Sequence, residues 1–314
     1  MDAWHKAGHD GWGLWVNGTV IMKIGLVGLG RMGRAIAARL SETGVGVTGW
    51  DRDGVASKLA AEGKVRLAAS PRAVAESADT VISIITEDNG VRAVFRGDNG
   101  FLSGGVKGKL FIEMSTLRPM TARELAPIVE AAGARLIESP VLGSIPTARS
   151  GKLHALAGGR AEDVERARPV LEKLTRRIDH MGPNGAGYAM KLAANLGLAA
   201  YIQGIAESLA LGQREGLTMQ QMLDVLTEAP TANAWLGMKK GLLLGNPEDI
   251  TLDLKTMRKD IMSMVATGAT NGTGMPLSSG MLAAFSAAVA QGWGDKDIGE
   301  LPKFFREHMG QDFK

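Results

Sequence analysis

The 314-residue chain contains no cysteine. That excludes disulfides, a thiolate nucleophile and Cys-type zinc sites, and leaves Lys, Ser, Asn, Asp or a borrowed cofactor to carry any chemistry. Charge of one sign is also scarce in excess: 36 basic against 33 acidic residues give +3. So small and scattered a surplus argues against a nucleic-acid surface, while an anionic small molecule remains compatible. The five histidines, His5, His9, His154, His180 and His308, lack metal-ligand spacing backed by carboxylates, so no catalytic metal is expected. No apolar run approaches the ~18 residues of a membrane span. The N-terminus lacks the basic start and sustained apolar core of a signal peptide, so a cytoplasmic protein is expected.

What is present is ample material for a core. With 45% hydrophobic and 22% charged residues over this length, the chain suits two domains better than one. Residues 1–21 hold three of the six tryptophans without helical or strand periodicity, and are read as an extension, disordered or not native to the protein. From Met22 short apolar runs alternate with amphipathic stretches. Strands are expected at Lys23–Val27, Gly46–Trp50, Thr80–Ile85, Leu110–Met114, Arg135–Glu138 and Leu153–Ala157. Helices are expected around Met32–Glu42, Val55–Ala61, Pro71–Ala75, Thr121–Ala132 and Glu162–Leu174. Strands spaced by helices imply a doubly wound, Rossmann-type parallel sheet, that is, an α/β domain over residues 22–182. Beyond Met181 the strand signals stop and Ala/Leu/Met-rich segments take over, predicting an all-helical C-terminal domain over residues 183–314.

Gly28-Leu29-Gly30-Arg31-Met32-Gly33 sits between the first strand and the first helix, the context in which a G-x-G-x-x-G run signifies dinucleotide binding. The first glycine permits the tight turn, the second lets pyrophosphate approach the backbone, and the third lets helix pack on strand. All six residues are expected to contact the cofactor, with Ile85 and Thr86 at the end of the third strand. Asp51, closing the second strand, suits both ribose hydroxyls and favours NAD, whereas the neighbouring Arg52 could hold a 2′-phosphate and favours NADP. The balance tips slightly to NAD.

A second motif, Gly182-x-x-Gly185-x-Gly187-x-x-x-Lys191-x-x-x-Asn195, puts an amine and a carboxamide on one face of a helix. The glycines would let the backbone approach a flat ligand. The residues after Lys191 (Leu192, Ala193, Ala194, Leu196, Leu198, Ala199, Ala200) are apolar nearly all round, which predicts a buried helix and a lysine whose pKa is lowered toward useful basicity. A helix this apolar also asks for cover from another subunit, so a homodimer or homotetramer is expected.

The order of these and two further motifs resembles the β-hydroxyacid dehydrogenase family. Glu113-Met114-Ser115-Thr116-Leu117-Arg118-Pro119 is similar to its D-x-S-T-x-x-P, and Glu138-Ser139-Pro140-Val141-Leu142-Gly143-Ser144 to its substrate loop D/E-A-P-V-S-G-G/S. The resemblance covers Met22 to about Gly299. It implies NAD or NADP as cofactor, Thr116 beside the nicotinamide ribose, Lys191 as general acid/base, Asn195 as a substrate ligand, and Lys259 of a Lys259-Asp260 pair over the cofactor. Asp260 and Trp235 are expected near the substrate with Leu142, Gly143 and Ser144. Leu142 stands where the family's loop serine binds the substrate carboxylate, so that contact would fall to backbone N–H groups of Gly143 and Ser144. The continuation Ile145-Pro146-Thr147-Ala148-Arg149-Ser150-Gly151-Lys152-Leu153 is closer to the glyoxylate/succinic semialdehyde reductase branch.

Each of these residues also has a structural reading: Ser115 and Thr116 as helix caps, Pro140 and Gly143 as turn formers, Lys259-Asp260 as a surface ion pair, Trp235 as core. Taken jointly, the motifs imply an oxidoreductase that moves a hydride between nicotinamide and a small β-hydroxyacid or its semialdehyde, in a cleft between the two domains. An imine reductase on the same scaffold and a catalytically silent nucleotide-binding module are the alternatives.

Overall fold

The computed structural model describes residues 14–16, 19–53 and 62–309. The helix expected at Val55–Ala61 lies outside them. Within the segment read as lacking strand periodicity, β1 (Leu14–Val16) and β2 (Thr19–Ile21) pair as an antiparallel hairpin, Leu14 opposite Ile21.

Among the described residues a nine-stranded sheet follows. It comprises β3 (Lys23–Val27), β4 (Gly46–Trp50), β5 (Arg66–Leu67), β6 (Thr80–Ser83), β7 (Leu110–Glu113), β8 (Arg135–Glu138), β9 (Val141–Leu142), β10 (Leu153–Gly158) and β11 (Thr175–Gly182). The order is β11-β10-β8-β7-β6-β3-β4-β5, with β9 beside β10. Pairing is parallel from β5 through β8, then β10 turns antiparallel to β8 and carries β11 parallel to itself. The middles of the central strands are apolar because both faces are covered, with polar residues at their ends. Period-two alternation sorts their side chains: Ile24, Leu26, Ile82, Leu110, Ile112 and Ile137 enter one core, while Val27, Val81, Phe111 and Leu136 enter the other. Helices cover the two faces, including α1 (Arg31–Glu42), α2 (Pro71–Glu76), α3 (Asp88–Arg96), α4 (Pro119–Ala131), α5 (Ile145–Arg149) and α6 (Ala161–Leu171).

The chain divides into two compact units, the first through Lys191 and the second from Leu192. The division falls inside the long helix α7 (Ala186–Arg214), because Tyr188 in its opening turns is buried with the sheet's core. The second unit is helical around its own core, with α8 (Met219–Glu228), α9 (Ala234–Leu243), α10 (Leu254–Asn271), α11 (Pro276–Ala288) and α12 (Leu301–Phe304). Helices α8, α9 and α10 start on side-chain caps: Thr218 with Gln221, Asn233 on Trp235 N and Leu236 N, and Asp253 on Thr256 N. Buried Lys239, 3.1 Å from Asp297, fixes the C-terminal segment. Among the described residues no helix is long and apolar enough to cross a membrane.

Candidate active site

The loops that follow β3, β4, β6, β7 and β8 at their carboxyl ends assemble the first part of the site. Gly28, at φ 93°, has room only for hydrogen: a Cβ there would lie 2.1 Å from Ile84 O, and one on Gly33 would lie 1.9 Å from Gly28 O. These two glycines press strand, turn and helix together. Gly30, by contrast, faces open space, with no atom within 4 Å of a Cβ, and it precedes α1 without a side-chain cap. A helix start facing an open, glycine-lined space fits a dinucleotide pyrophosphate. Leu29 is buried, Arg31 exposed and Met32 half-buried around this turn.

Asp51 closes the turn, its Oδ2 accepting from Leu29 N at 2.6 Å and its Oδ1 from Asp53 N at 2.9 Å. That holds the carboxylate at the end of β4, where a ribose diol would be read. Arg52 is exposed and its Nε donates to Asp53 Oδ1 at 2.9 Å. Ser115 does not cap the following helix; its Oγ accepts from Ile85 N at 2.7 Å and donates to Glu113. Arg118 N, at the start of α4, donates instead to Asp88 Oδ1 at 3.2 Å. Ile85 and Thr116 are half-buried and Thr86 is exposed.

In the substrate-loop motif, Leu142 is half-buried and pairs with His154 across β9 and β10. Gly143 has φ 133°, which favours glycine. Ser144 N donates to Thr147 Oγ1 at 3.0 Å. Of the two amides expected to take a carboxylate, this one is therefore engaged in a local capping box, which fixes the start of α5.

Two of the glycines before Lys191, Gly185 and Gly187, are packed against the protein's own backbone. A Cβ on Gly187 would lie 2.3 Å from Leu156 O and one on Gly185 2.9 Å from Pro119 O. This closeness brings the amide of Gly185, at 2.5 Å, and that of Gly187, at 3.1 Å, to Glu138 Oε1, while Asn184 Nδ2 donates to Oε2 at 3.1 Å. A carboxylate on these amides complements the positive end of the helix. Burial is the main cause raising the Glu138 pKa, opposed by those hydrogen bonds. The helix is not buried all round: Ala189, Met190, Ala193 and Gly197 are exposed, Tyr188, Leu192, Asn195 and Ala199 are buried, and Lys191 is half-buried at the margin. The small residues that read as core also tile an open face.

In the helical unit, Asn195 Nδ2 donates to Asp260 Oδ2 at 2.7 Å, and Lys259 Nζ lies 2.6 Å from Asp260 Oδ1. Asp260 is 2% exposed, so the Lys259-Asp260 pair is more than a surface contact. Trp235 is core, 8% exposed and edge-on to Tyr201, yet its Nε1 has no hydrogen-bond partner among the described residues.

Sequence reasoning gave no role to Glu113 and Glu138, in register on β7 and β8 and almost wholly buried. Glu113 accepts from Ser115 N at 3.0 Å, from Ser115 Oγ, from Tyr188 Oη and, at 3.4 Å, from Ser83 Oγ. Burial nevertheless pushes its pKa up to about 7. The available signal was an acid ending an otherwise apolar strand, a placement that needs partners.

Two family models match end to end along the chain: the NAD-binding domain of 6-phosphogluconate dehydrogenase over residues 23–182, and the NAD-binding segment of NADP-dependent 3-hydroxyisobutyrate dehydrogenase over residues 185–305. The chain belongs to the β-hydroxyacid dehydrogenase family. This family member is 33% identical over 263 residues to the 3-hydroxyisobutyrate dehydrogenase of Pseudomonas aeruginosa, covering 82% of the chain and 88% of that protein. It is 29% identical over 289 residues to the glyoxylate/succinic semialdehyde reductase 1 of Arabidopsis thaliana, covering 91% and 100%. The solved 3-hydroxyisobutyrate dehydrogenase of Mycobacterium tuberculosis with L-serine superposes with a TM-score of 0.79 at 31% identity, covering 91% and 99%. The β-hydroxyacid dehydrogenase is accordingly an NAD(P)-dependent oxidoreductase with a Rossmann-like domain followed by a helical one.

Proposed function

We propose that the enzyme interconverts a small β-hydroxyacid and its semialdehyde, with Lys191 as general acid/base. The observation that carries this is the pairing of Lys191 and Asn195, one turn apart on a helix whose start is anchored by Glu138. When bound, the nicotinamide supplies the hydride acceptor or donor. Lys191 takes the proton of the substrate hydroxyl in oxidation and returns it to the carbonyl oxygen in reduction. Asn195, held by Asp260, orients the substrate. The Gly28–Gly33 turn and the loops at Ile85, Thr86 and Thr116 hold the dinucleotide, and Lys259 contributes charge toward it. Residues 183–314 supply the substrate and dimerisation domain, in a cytoplasmic homodimer or homotetramer.

NAD is favoured over NADP. Asp51 is set by two backbone amides at the end of β4, and the exposed Arg52 is neutralised by Asp53, so it is not poised for a phosphate. The continuation from Ile145 to Leu153 favours the glyoxylate/succinic semialdehyde branch, while Leu142 removes the hydroxyl that the family's loop serine offers a carboxylate and makes the pocket more apolar. The deciding experiment follows NADH and NADPH oxidation in the near ultraviolet with glyoxylate, succinic semialdehyde, methylmalonate semialdehyde, tartronate semialdehyde and one cyclic imine. Turnover of an aldehyde acid is the expected result; turnover of the imine alone would refute the proposal.

A further inference from the structure

Glu113 ends β7 at 1% exposure, and nothing in the proton transfer assigned to Lys191 uses it. Its carboxylate nevertheless gathers groups from three places. Ser83 reaches it from β6, Ser115 from the loop after β7, and Tyr188 from the opening of α7. Ser115 passes the connection on, because its Oγ also accepts from Ile85 N at 2.7 Å. Ile84, next to it, donates to Val27 O at 2.9 Å and presents the carbonyl against which Gly28 is packed. On the other side Tyr188, 1% exposed, precedes Lys191 by three residues, so the two side chains are neighbours on the helix surface. The hydroxyl ties Tyr188, and with it the opening of α7, to the end of β7. Glu138 holds the backbone start of α7 through the Gly185 and Gly187 amides, whereas Tyr188 is held through its side chain, one turn before Lys191.

We propose that Glu113 is a positioning residue for the reaction: through Tyr188 it sets the rotational placement of Lys191 on α7, and through Ser115 it ties that placement to the loop at Ile85 behind the glycine turn. This rests on the reading of Lys191 as the general acid/base. The carboxylate acts by accepting hydrogen bonds in a fixed frame and does not exchange a proton with substrate. Ser115 and Tyr188 are donors to one acceptor group, so displacement of either is transmitted to the other through Glu113.

The test is a double-mutant cycle of Tyr188→Phe with Lys191→Met, with Glu113→Gln and Glu113→Ala as a second pair. Phe keeps the buried ring and removes only the hydroxyl. Tyr188→Phe is expected to lower kcat about tenfold with cofactor KM within about twofold, and to add nothing in the Lys191→Met background, since coupled sites are non-additive. Gln keeps an acceptor for Tyr188, so Glu113→Gln should retain most of kcat where Glu113→Ala loses it. A readout independent of turnover is the 13C NMR signal of reductively methylated Lys191 in the cofactor-free protein, assigned by its absence in Lys191→Met; its titration midpoint should move in Tyr188→Phe. If Lys191→Met turns over normally, the reading of Lys191 fails. If Lys191→Met is slowed as expected while Tyr188→Phe multiplies with it, or leaves both kcat and the midpoint unchanged, the positioning role alone is overturned.

Discussion

Asn195 and Asp260, 65 residues apart in sequence, meet through a 2.7 Å hydrogen bond from Nδ2 to Oδ2. An ionised carboxylate accepts and cannot donate, so the amide nitrogen must face it and Asn195 Oδ1 is left as the acceptor. A substrate hydroxyl suits that oxygen better than a carboxylate does. Replacing Asp260 by Ala frees the amide to flip and leaves Lys259 without its carboxylate. A hydrogen bond to a charged group is worth about 1.5–3 kcal/mol, so kcat/KM is expected to fall ~10–100-fold in steady-state assays with the best aldehyde substrate. An unchanged kcat/KM would remove Asp260 from the site.

Lys191→Met keeps the length and apolar stem of the side chain and removes the amine. With Lys191 transferring the proton, kcat should drop by about 10² or more, because general acid/base catalysis contributes 10²–10⁴-fold. Cofactor affinity should stay within about threefold, because the substitution leaves the Gly28–Gly33 turn and Asp51 untouched. Stopped-flow hydride transfer together with fluorescence titration of bound NADH separates the two effects.

Burial of Glu113 makes a prediction about stability against pH. Its carboxyl is pushed from 4.5 up to about 7, first by desolvation and against the pull of Ser115 and Tyr188. Below the ordinary value both folded and unfolded chains are protonated and the penalty is absent. As pH rises from 4.5 to about 7 the unfolded chain releases its proton first, so stability declines, and above about 7 the full cost stands. For a shift of this size the cost is about 3 kcal/mol. Glu113→Gln removes the titration, so the melting temperature of the variant relative to the natural chain should rise by several degrees between pH 5 and pH 8. A gap independent of pH would show that Glu113 does not titrate in this window.

The parallel sheet was legible because its central strands are covered on both faces, so Ile24 to Val27, Val81 to Ile82 and Leu110 to Ile112 read as continuous apolar runs. The edges were not. Strand Thr175–Gly182 carries Arg176, Arg177 and Asp179 on an open edge, where charge deters further pairing and hides the strand pattern. Strands of two residues, Arg66–Leu67 and Val141–Leu142, are too short for any period to register. Helix Asp88–Arg96 went unseen because its apolar stripe, Val91, Val94 and Phe95, is narrow and begins after a polar turn. In the candidate site, sequence spacing put Lys191 and Asn195 on one helix and named the glycine turn. It could not pair Asn195 with Asp260 or bring Glu113 to Tyr188, since those contacts depend on chain paths between distant elements, and local periodicity carries no trace of them.

The three glycines of the dinucleotide turn should behave differently when each gains a methyl group. On Gly33 the new carbon would meet Gly28 O at 1.9 Å, a collision with backbone that no side-chain rotation relieves. Gly33→Ala is therefore expected to lower the melting temperature and cofactor affinity together, since forced overpacking costs about 1–3 kcal/mol or more. On Gly30 the same carbon meets nothing within 4 Å, and the φ of −60° suits alanine. Gly30→Ala should melt within about a degree of the natural chain, yet it fills the space through which a pyrophosphate reaches the helix amides, so the Kd for NADH should rise by about tenfold or more. Thermal melts with and without NADH distinguish the two variants: added cofactor should raise the melting temperature of the natural chain and fail to do so for Gly30→Ala. A Gly30→Ala protein that binds NADH normally would place the pyrophosphate somewhere other than this turn.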